Sequence, residues 1–311
     1  MKTIKITFAF VVIFLMAINI SCRKKSQDSI LLLDKFFEKY GAQSQFFTID
    51  ASRDTTIYGA MGTRLDLKAW SLCYGNSIPV SGAVQIEMKE IYNKSQMVLS
   101  NAQTVSDNKI LASGGEVYLS ATQNNYTVLL CDSQTAKIYF PAESPNGEMQ
   151  LFTGYPGGYS EYSNSINGSY WSQSQPTQYT ATAYDSTLDT WYNSFDISGF
   201  QFINCDHFWD TDGCDLSVNL NSGFDNGNTV IYFVFESENC VANSNKFENK
   251  LFMFNSNGRI PIGLPITVFA IASRNDEFYF GKTQAVTSAD EIKFDLKKST
   301  EQEIVAAANA L

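Results

Sequence analysis

Apolar and polar residues alternate over much of this 311-residue chain. In GTRLDLKAW, residues 62–70, Leu65, Leu67 and Ala69 face one way and the residues between them face the other. GAVQIEMKEI, residues 82–91, and EVYLSAT, residues 116–122, repeat the pattern. A spacing of two places successive side chains on opposite faces of a strand. The alternation therefore predicts sheets with one buried face, as in a β-sandwich.

Strand-like stretches extend over two long regions, which predicts an all-β fold with two β-sandwich-like domains. Residues 45–145 form the N-terminal β-domain, and residues 196–311 form the C-terminal β-domain. The dense apolar stretch NTVIYFVFES, residues 228–237, is typical of a strand buried between sheets. Composition agrees, because 23 Phe and 16 Tyr favour strands.

A short helix is predicted at each end of the mature chain. SILLLDKFFEKY, residues 29–40, places its apolar side chains on one helical face, and we expect this helix to dock on the body of the protein. Near the other end, Thr300 and Glu303 have the spacing of a capping box before a last helix.

The first residues predict export and a lipid anchor. Residues 1–21 have the layout of a signal peptide, with Lys2 and Lys5 before an apolar run too short to span a bilayer. Ser21 before Cys22 is similar to a bacterial lipobox, in which the cysteine is acylated. Residues 22–44 would then be a lipidated tether followed by the first helix. The alternative is an ordinary signal peptide cleaved nearby, with Cys22 incidental.

The charge pattern limits the location and the partners. Residues 23–25, Arg-Lys-Lys, favour an anionic leaflet, so we expect the periplasmic side of the outer membrane, with the cell surface as the alternative. The chain as a whole has a formal charge of −10. A nucleic-acid-binding protein needs a basic surface, so nucleic acid is excluded as a partner.

The cysteines predict disulfide bonding in an oxidising compartment. If Cys22 is acylated, five cysteines remain, and an odd number leaves at least one thiol free. Cys205 and Cys214 are close enough in sequence to bridge across a loop, and Cys73 with Cys131 is a second candidate pair. Buried free thiols are the alternative for all of them.

Residues 146–195 differ from their surroundings, because Tyr, Ser, Asn and Gly replace most aliphatic residues. We interpret them as a connecting region. Tyrosine and tryptophan supply a large contact area at low entropic cost, so the loop 155–192 is a candidate glycan-binding surface. Trp171, Trp191 and Tyr159 are its candidate contacts. Strand-and-loop structure without a ligand is the alternative.

The segment FQFINCDHFWDTDGCD, residues 200–215, contains the only histidine of the chain and several acids. Asp210, Asp212 and Asp215, with Asp206 in a looser set, are weak calcium candidates. An EF-hand loop built on Gly213 lacks its first and last carboxylates, and Asp-Gly also suits a simple turn. The spacing of the cysteines fits no zinc finger. We therefore predict no metal site.

The sequence predicts no catalytic centre and no cofactor. It has neither the G-x-S-x-G element of serine hydrolases nor a phosphate-binding or dinucleotide-binding glycine motif. Paired carboxylates of a glycoside hydrolase are defined by their separation in space, so a hydrolase stays open as a less favoured alternative. The favoured prediction is a non-catalytic, lipid-anchored envelope protein with a structural or binding role. Its partners would be envelope proteins or a polysaccharide.

Several phrases resemble a family of signal-bearing lipoproteins of Bacteroidetes-type bacteria. GAVQIEMKEIYNKSQM, residues 82–97, and GFQFINCDHF, residues 199–208, are the most specific of them. FTIDASRDTTIYGAMGTRLDL, residues 47–67, EMQLFTG, residues 148–154, and PIGLPITVFAIA, residues 261–272, also match. The resemblance implies a secreted, β-rich protein and assigns no catalytic residue.

Overall fold

The computed structural model describes residues 29–75, 77–155, 158–160, 165–167, 170–174, 176–209 and 212–311. The predicted signal peptide and Cys22 lie outside these residues. The described residues form several sheets, almost entirely antiparallel, and three short helices. The expected all-β, sandwich-like fold is therefore confirmed.

The helices and strands follow one another in this order. The first part contains α1 (29–40), β1 (Gln45–Asp50), β2 (Thr55–Tyr58), β3 (Arg64–Leu67), β4 (Leu72–Tyr74), β5 (Ile78–Pro79), β6 (Ala83–Ile91), α2 (Lys94–Leu99), β7 (Val105–Ser106), β8 (Lys109–Gln123), β9 (Tyr126–Thr127), β10 (Leu129–Leu130), β11 (Ala136–Ala142), β12 (Gln150–Tyr155), β13 (Gly158–Ser160), β14 (Ser165–Asn167), β15 (Tyr170–Gln173), β16 (Ala181–Asp185) and β17 (Thr190–Ile197). The second part contains β18 (Phe202–Phe208), β19 (Leu216–Leu220), β20 (Thr229–Phe235), β21 (Cys240–Asn243), β22 (Lys246–Glu248), β23 (Leu251–Phe254), β24 (Pro265–Arg274), β25 (Glu277–Val286), β26 (Glu291–Phe294), β27 (Lys297–Lys298) and α3 (Glu301–Ala308).

Two sheets enclose the first hydrophobic core. Sheet 1 has the order β1-β6-β8-β18-β12-β15, with β7 and β9 also paired to β8, and sheet 2 has the order β16-β17-β11-β3-β2. Alternate residues of each strand point inward, so Ile86 and Met88 of β6 share one buried cluster with Leu65 and Leu67 of β3. A small sheet, β10-β4-β5, adds Leu72 and other apolar side chains to the same cluster.

Sheet 3, with the order β21-β20-β24-β25-β27, is covered on both faces. Ile231 and Phe233 of β20 lie in a cluster shared with sheet 4, whose order is β22-β23-β19-β26. The intervening Tyr232 and Val234 lie in a different cluster, shared with the three helices. The prediction that β20 is buried is thus confirmed, but its second cover is helical.

Helix α1 docks on sheet 3, as its apolar face predicts. Phe36 is 1% exposed, and its ring centroid lies 5.4 Å from that of Phe278. Tyr40 and Lys39 hydrogen-bond to Glu301 at the start of α3, which the Thr300–Glu303 capping box opens as predicted. None of the described helices combines the length and the apolar character needed to cross a bilayer.

Strand pairing crosses the domain boundaries that composition suggested. Strands β16 and β17 lie in the region predicted to be a connector, yet they belong to sheet 2. Strand β18 lies within the predicted C-terminal domain, yet it pairs with β8 and β12 in sheet 1. The tyrosine-rich strands take part in the sandwich because aromatic side chains such as Phe195 supply the buried face that aliphatic residues supply elsewhere.

Among the described residues, Cys73 and Cys131 form a disulfide. The bridge predicted between Cys205 and Cys214 is wrong, because both are free and buried. Their proximity in sequence is not proximity in space: Cys205 points into the first core, while Cys214 belongs to the core between sheets 3 and 4. Cys240 is also a buried free thiol.

We expect Phe36→Ala to lower the free energy of unfolding by about 3–5 kcal/mol, because it leaves a cavity between α1 and sheet 3. Leu31→Ala on the same helix, at a side chain 53% exposed, is the control, with a change within about 0.5 kcal/mol. Urea unfolding followed by circular dichroism measures both. Equal effects of the two substitutions would show that α1 does not dock.

Replacing Cys73 and Cys131 together by Ser should lower the free energy of unfolding by about 2–4 kcal/mol. The bond closes a loop between cysteines 58 residues apart, which restricts the unfolded chain. Reductant should bring the melting temperature of the native protein to that of the double variant and leave the variant unchanged. A native protein that is insensitive to reductant contradicts the bond.

Candidate functional site

The outer face of sheet 2 presents a row of polar and aromatic side chains. Leu65 points into the core, so Arg64 and Asp66 on either side of it point outward. The strand register aligns Tyr58 of β2, Arg64 of β3 and Tyr139 of β11 directly across three neighbouring strands. Alternation along each strand and the register between strands therefore produce a row of polar and aromatic side chains without any local sequence motif.

The Arg64 side chain is held in one orientation. Its Nε and Nη2 atoms donate to the two carboxylate oxygens of Asp66, at 2.9 and 2.7 Å. Its guanidinium carbon lies 4.6 Å from the ring centroid of Tyr139, a cation–π distance. Its Nη1 atom lies 4.0 Å from Oδ2 of Asp185. Burial by itself raises the pKa of Asp66, but hydrogen bonds from Arg64 and Thr56 outweigh it and keep the carboxylate charged.

A cleft of about 520 Å³ extends from this row along sheet 2. Its lining contains hydroxyl groups, one tyrosine ring and six charged side chains, three acidic and three basic: Asp54, Thr55, Thr56, Arg64, Asp66, Leu67, Lys68, Thr135, Lys137, Tyr139 and Asp196. Several of the charges are paired, as in the 2.8 Å contact of Lys68 with Asp54. We call this set of residues the outer-sheet cleft. Its volume suits a small ligand or a few units of a polymer.

A second unusual feature is a buried pair of acids on the opposite sheet. Glu116 of β8 and Asp206 of β18 are 1% and 0% exposed. Asn204 donates a hydrogen bond to Asp206, whereas the two carboxyl oxygens of Glu116 have no hydrogen-bond partner among the described residues. Burial raises the pKa of both carboxyls well above their usual range, and the charge of Asp206 raises that of Glu116 further.

The acids lie where sheet 1 is irregular. The pairing of β8 with β18 shifts between Asn204 and Asp206, opposite Gly114 and Gly115. Gly115 has a positive φ of 133°, and a Cβ there would lie 2.2 Å from a ring carbon of Tyr92. Neither carboxyl reaches solvent, so this pair does not offer the accessible acid and base that glycoside hydrolysis needs. Burial therefore favours the neutral form of both carboxyls.

The predicted glycan contacts do not form a common surface. Trp171 is fully buried, and its Nε1 donates to the carbonyl of Gln103 at 2.6 Å, so its prediction as an exposed contact is wrong. Its indole fills a small cluster beside Phe152, which explains the burial. Trp191 is half-buried in β17, with its ring 5.1 Å from that of Tyr184. The side chain of Tyr159 lies outside the described part of the structure.

The weak calcium candidates are not brought together as a set. Asp210 lies outside the described residues, and Asp212 is exposed. Asp215 instead caps a turn, because its Oδ1 accepts hydrogen bonds from the backbone N–H groups of Ser256 at 2.8 Å and Gly258 at 2.9 Å. Within the part of the chain that the structure describes, no three acidic, histidine or cysteine side chains are placed to hold a metal ion.

Sequence reasoning missed the outer-sheet cleft. The alternation in the sequence marks Arg64, Asp66 and Lys68 only as the polar side of a strand. Tyr139 and Asp196 come from strands far away in sequence, and only the register of β3, β11 and β17 brings them together. No local spacing marks such a site.

Comparison with known proteins gives no further guide to either feature. No family model, no curated protein and no solved structure matches the chain. The role of the cleft must therefore be inferred from its chemistry.

We expect Glu116→Gln to change the pH dependence of stability. A carboxyl whose pKa is raised on folding contributes stability that is complete below its ordinary pKa of 4.5 and is lost as pH rises through the folded-state value. The variant should therefore gain stability relative to the native protein as pH rises, by up to about 1.4 kcal/mol per pH unit. Urea unfolding between pH 5 and 8 measures the difference.

The control is Glu148→Gln, which removes one negative charge from an exposed position. Its stability should run parallel to that of the native protein across the whole range. If Glu116→Gln also runs parallel, Glu116 is not held neutral by burial.

Proposed function

We propose that this protein is an exported, lipid-anchored, non-catalytic binding protein of a bacterial envelope. In this proposal acyl chains on Cys22 hold it at the outer membrane, facing the periplasm, and the outer-sheet cleft contacts its partner. The partner is an envelope protein or a polysaccharide. The observation that carries the binding role is the preorganised Arg64 in the lining of an open, polar cleft.

Preorganisation favours binding because little freedom is lost when a ligand arrives. Asp66 accepts two hydrogen bonds from the Arg64 guanidinium, and the ring of Tyr139 makes a cation–π contact with it. Guanidinium N–H groups turned away from Asp66 can still donate, since arginine has five such donors. The neighbouring threonines add hydroxyl donors and acceptors.

Two features support export and anchoring. The Cys73–Cys131 disulfide suits an oxidising compartment such as the periplasm. Helix α1 is described from residue 29 onward, seven residues after Cys22, and it docks on sheet 3. Seven residues reach at most about 25 Å, so an anchor at Cys22 would hold the body close to the membrane.

Growth of a lipoprotein-processing bacterium with radioactive palmitate should label the native protein and not the Cys22→Ser variant, since the thiol is the acylated group. Cys214→Ser removes a different, buried thiol and should keep the label. Label that persists in Cys22→Ser, or a mature N-terminus elsewhere, contradicts the anchor.

Protease treatment of intact cells then determines the side of the membrane. A periplasm-facing protein is protected until the outer membrane is permeabilised, whereas a protein on the cell surface is digested at once.

A further inference from the structure

Trp70 combines a strained backbone with an exposed side chain. Its φ is +63°, in the left-handed region that bulky residues rarely adopt, and its side chain is 55% exposed. Strain of this kind persists only where surrounding contacts impose it, and it is concentrated at functional sites. Folding alone gives no reason to place the largest side chain there, because glycine or asparagine would fit better.

Three hydrogen bonds hold the turn in this conformation. The N–H of Trp70 donates to the carbonyl of Ala51 at 2.8 Å, and the N–H of Ala69 donates to Oδ1 of Asp54 at 2.9 Å. The N–H of Ser71 donates to the carbonyl of Lys68 at 3.2 Å and closes the turn. The backbone is therefore fixed while the indole stays largely in solvent.

The turn adjoins the outer-sheet cleft through shared residues. Lys68, two residues before Trp70, lines the cleft, and so does Asp54, whose other carboxylate oxygen binds the Lys68 ammonium group. Asp54 and Lys68, two of the residues that fix the backbone of this turn, are therefore also residues of the cleft. Trp70 does not itself line the cleft, but its turn shares Asp54 and Lys68 with the lining, and its exposed indole adds an aromatic surface next to these two residues.

The charge of the cleft indicates the class of ligand. The whole chain has a formal charge of −10, yet the cleft lining contains three acids and three bases and is neutral. A polyanion would need an excess of basic groups, and a cationic ligand an excess of acids. The cleft offers hydroxyl groups, paired side chains that donate and accept hydrogen bonds, and an aromatic ring. These groups suit a neutral, hydroxyl-rich ligand.

We propose that Trp70 and the outer-sheet cleft together bind a neutral oligosaccharide. Trp70 stacks on the apolar face of one sugar ring, and the Arg64–Asp66 pair, the threonine hydroxyls and Lys137 hydrogen-bond to the hydroxyls of neighbouring units. This inference rests on the proposed binding function and names its partner class. It differs from a site on the 155–192 loop, because Trp70 and all the cleft residues except Asp196 come from before that loop.

The test is titration calorimetry of the native protein with neutral hexasaccharides of different linkage: cello-, xylo-, manno- and maltohexaose. At least one should bind, and Trp70→Gly should weaken that binding at least tenfold. Glycine suits a positive φ, so this variant should still unfold cooperatively. Trp70→Phe keeps an aromatic face and should retain part of the affinity.

Lys137→Ala is a second test at a half-exposed position away from the strained turn, and it should weaken binding without changing the melting temperature. Tyr126→Ala is the matched control, because Tyr126 is 69% exposed and does not line the cleft; binding should not change. A bound hexasaccharide should also protect the native tryptophan fluorescence from acrylamide quenching, and this protection should disappear in Trp70→Gly.

The proposal is overturned if none of the four hexasaccharides binds, or if Trp70→Gly and Lys137→Ala both keep native affinity. Preference for an acidic polymer such as polygalacturonate over all four also overturns it. Failure here leaves fatty-acid labelling at Cys22 unaffected, so it is distinguishable from failure of the anchored-protein proposal.

Discussion

The pairing of β8 with β18 is the constraint on which the rest of the structure depends. Ile110 of β8 packs in the core between sheets 3 and 4, while Val117 and Leu119 of the same strand pack in the core between sheets 1 and 2. Strand β18 runs alongside from Ile203 in the first core towards Trp209 beside the second. Because the two strands are shared, neither core can form without positioning part of the other.

Two strands that pass from one core to the other need an irregular geometry at the place where they leave the first core. The Gly114–Gly115 step and the register shift accommodate the change in geometry, and the Glu116 carboxyl is buried there with no hydrogen-bond partner in the described part of the chain. Buried carboxyls favour their neutral form, so they are tolerated at such a junction only by giving up their charge. The polar row and the outer-sheet cleft lie on sheet 2, which contains neither β8 nor β18.

Much of the architecture could be predicted from local pattern. The inward positions of Val84, Ile86 and Met88, the burial of β20, the docking of α1 and the capping box of α3 all follow from residue spacing, and the structure confirms them. Helix α2 is not predicted from the sequence, because its six residues are too few to show a helical repeat of apolar side chains. Trp171 was misplaced because its neighbours are polar, and polar neighbours do not determine which side of a strand is covered.

For the strands with alternating aliphatic residues, the sequence by itself determined where the strands lie and which of their sides is apolar, because side-chain direction depends only on the backbone of the residue and its neighbours. The tertiary structure alone decided which strands became neighbours, which cysteines met and where an open polar surface was left. Many strands of this chain have similar apolar faces, so the choice among partners depends on the burial of the whole set. The cleft beside Arg64 exists only as a result of that choice.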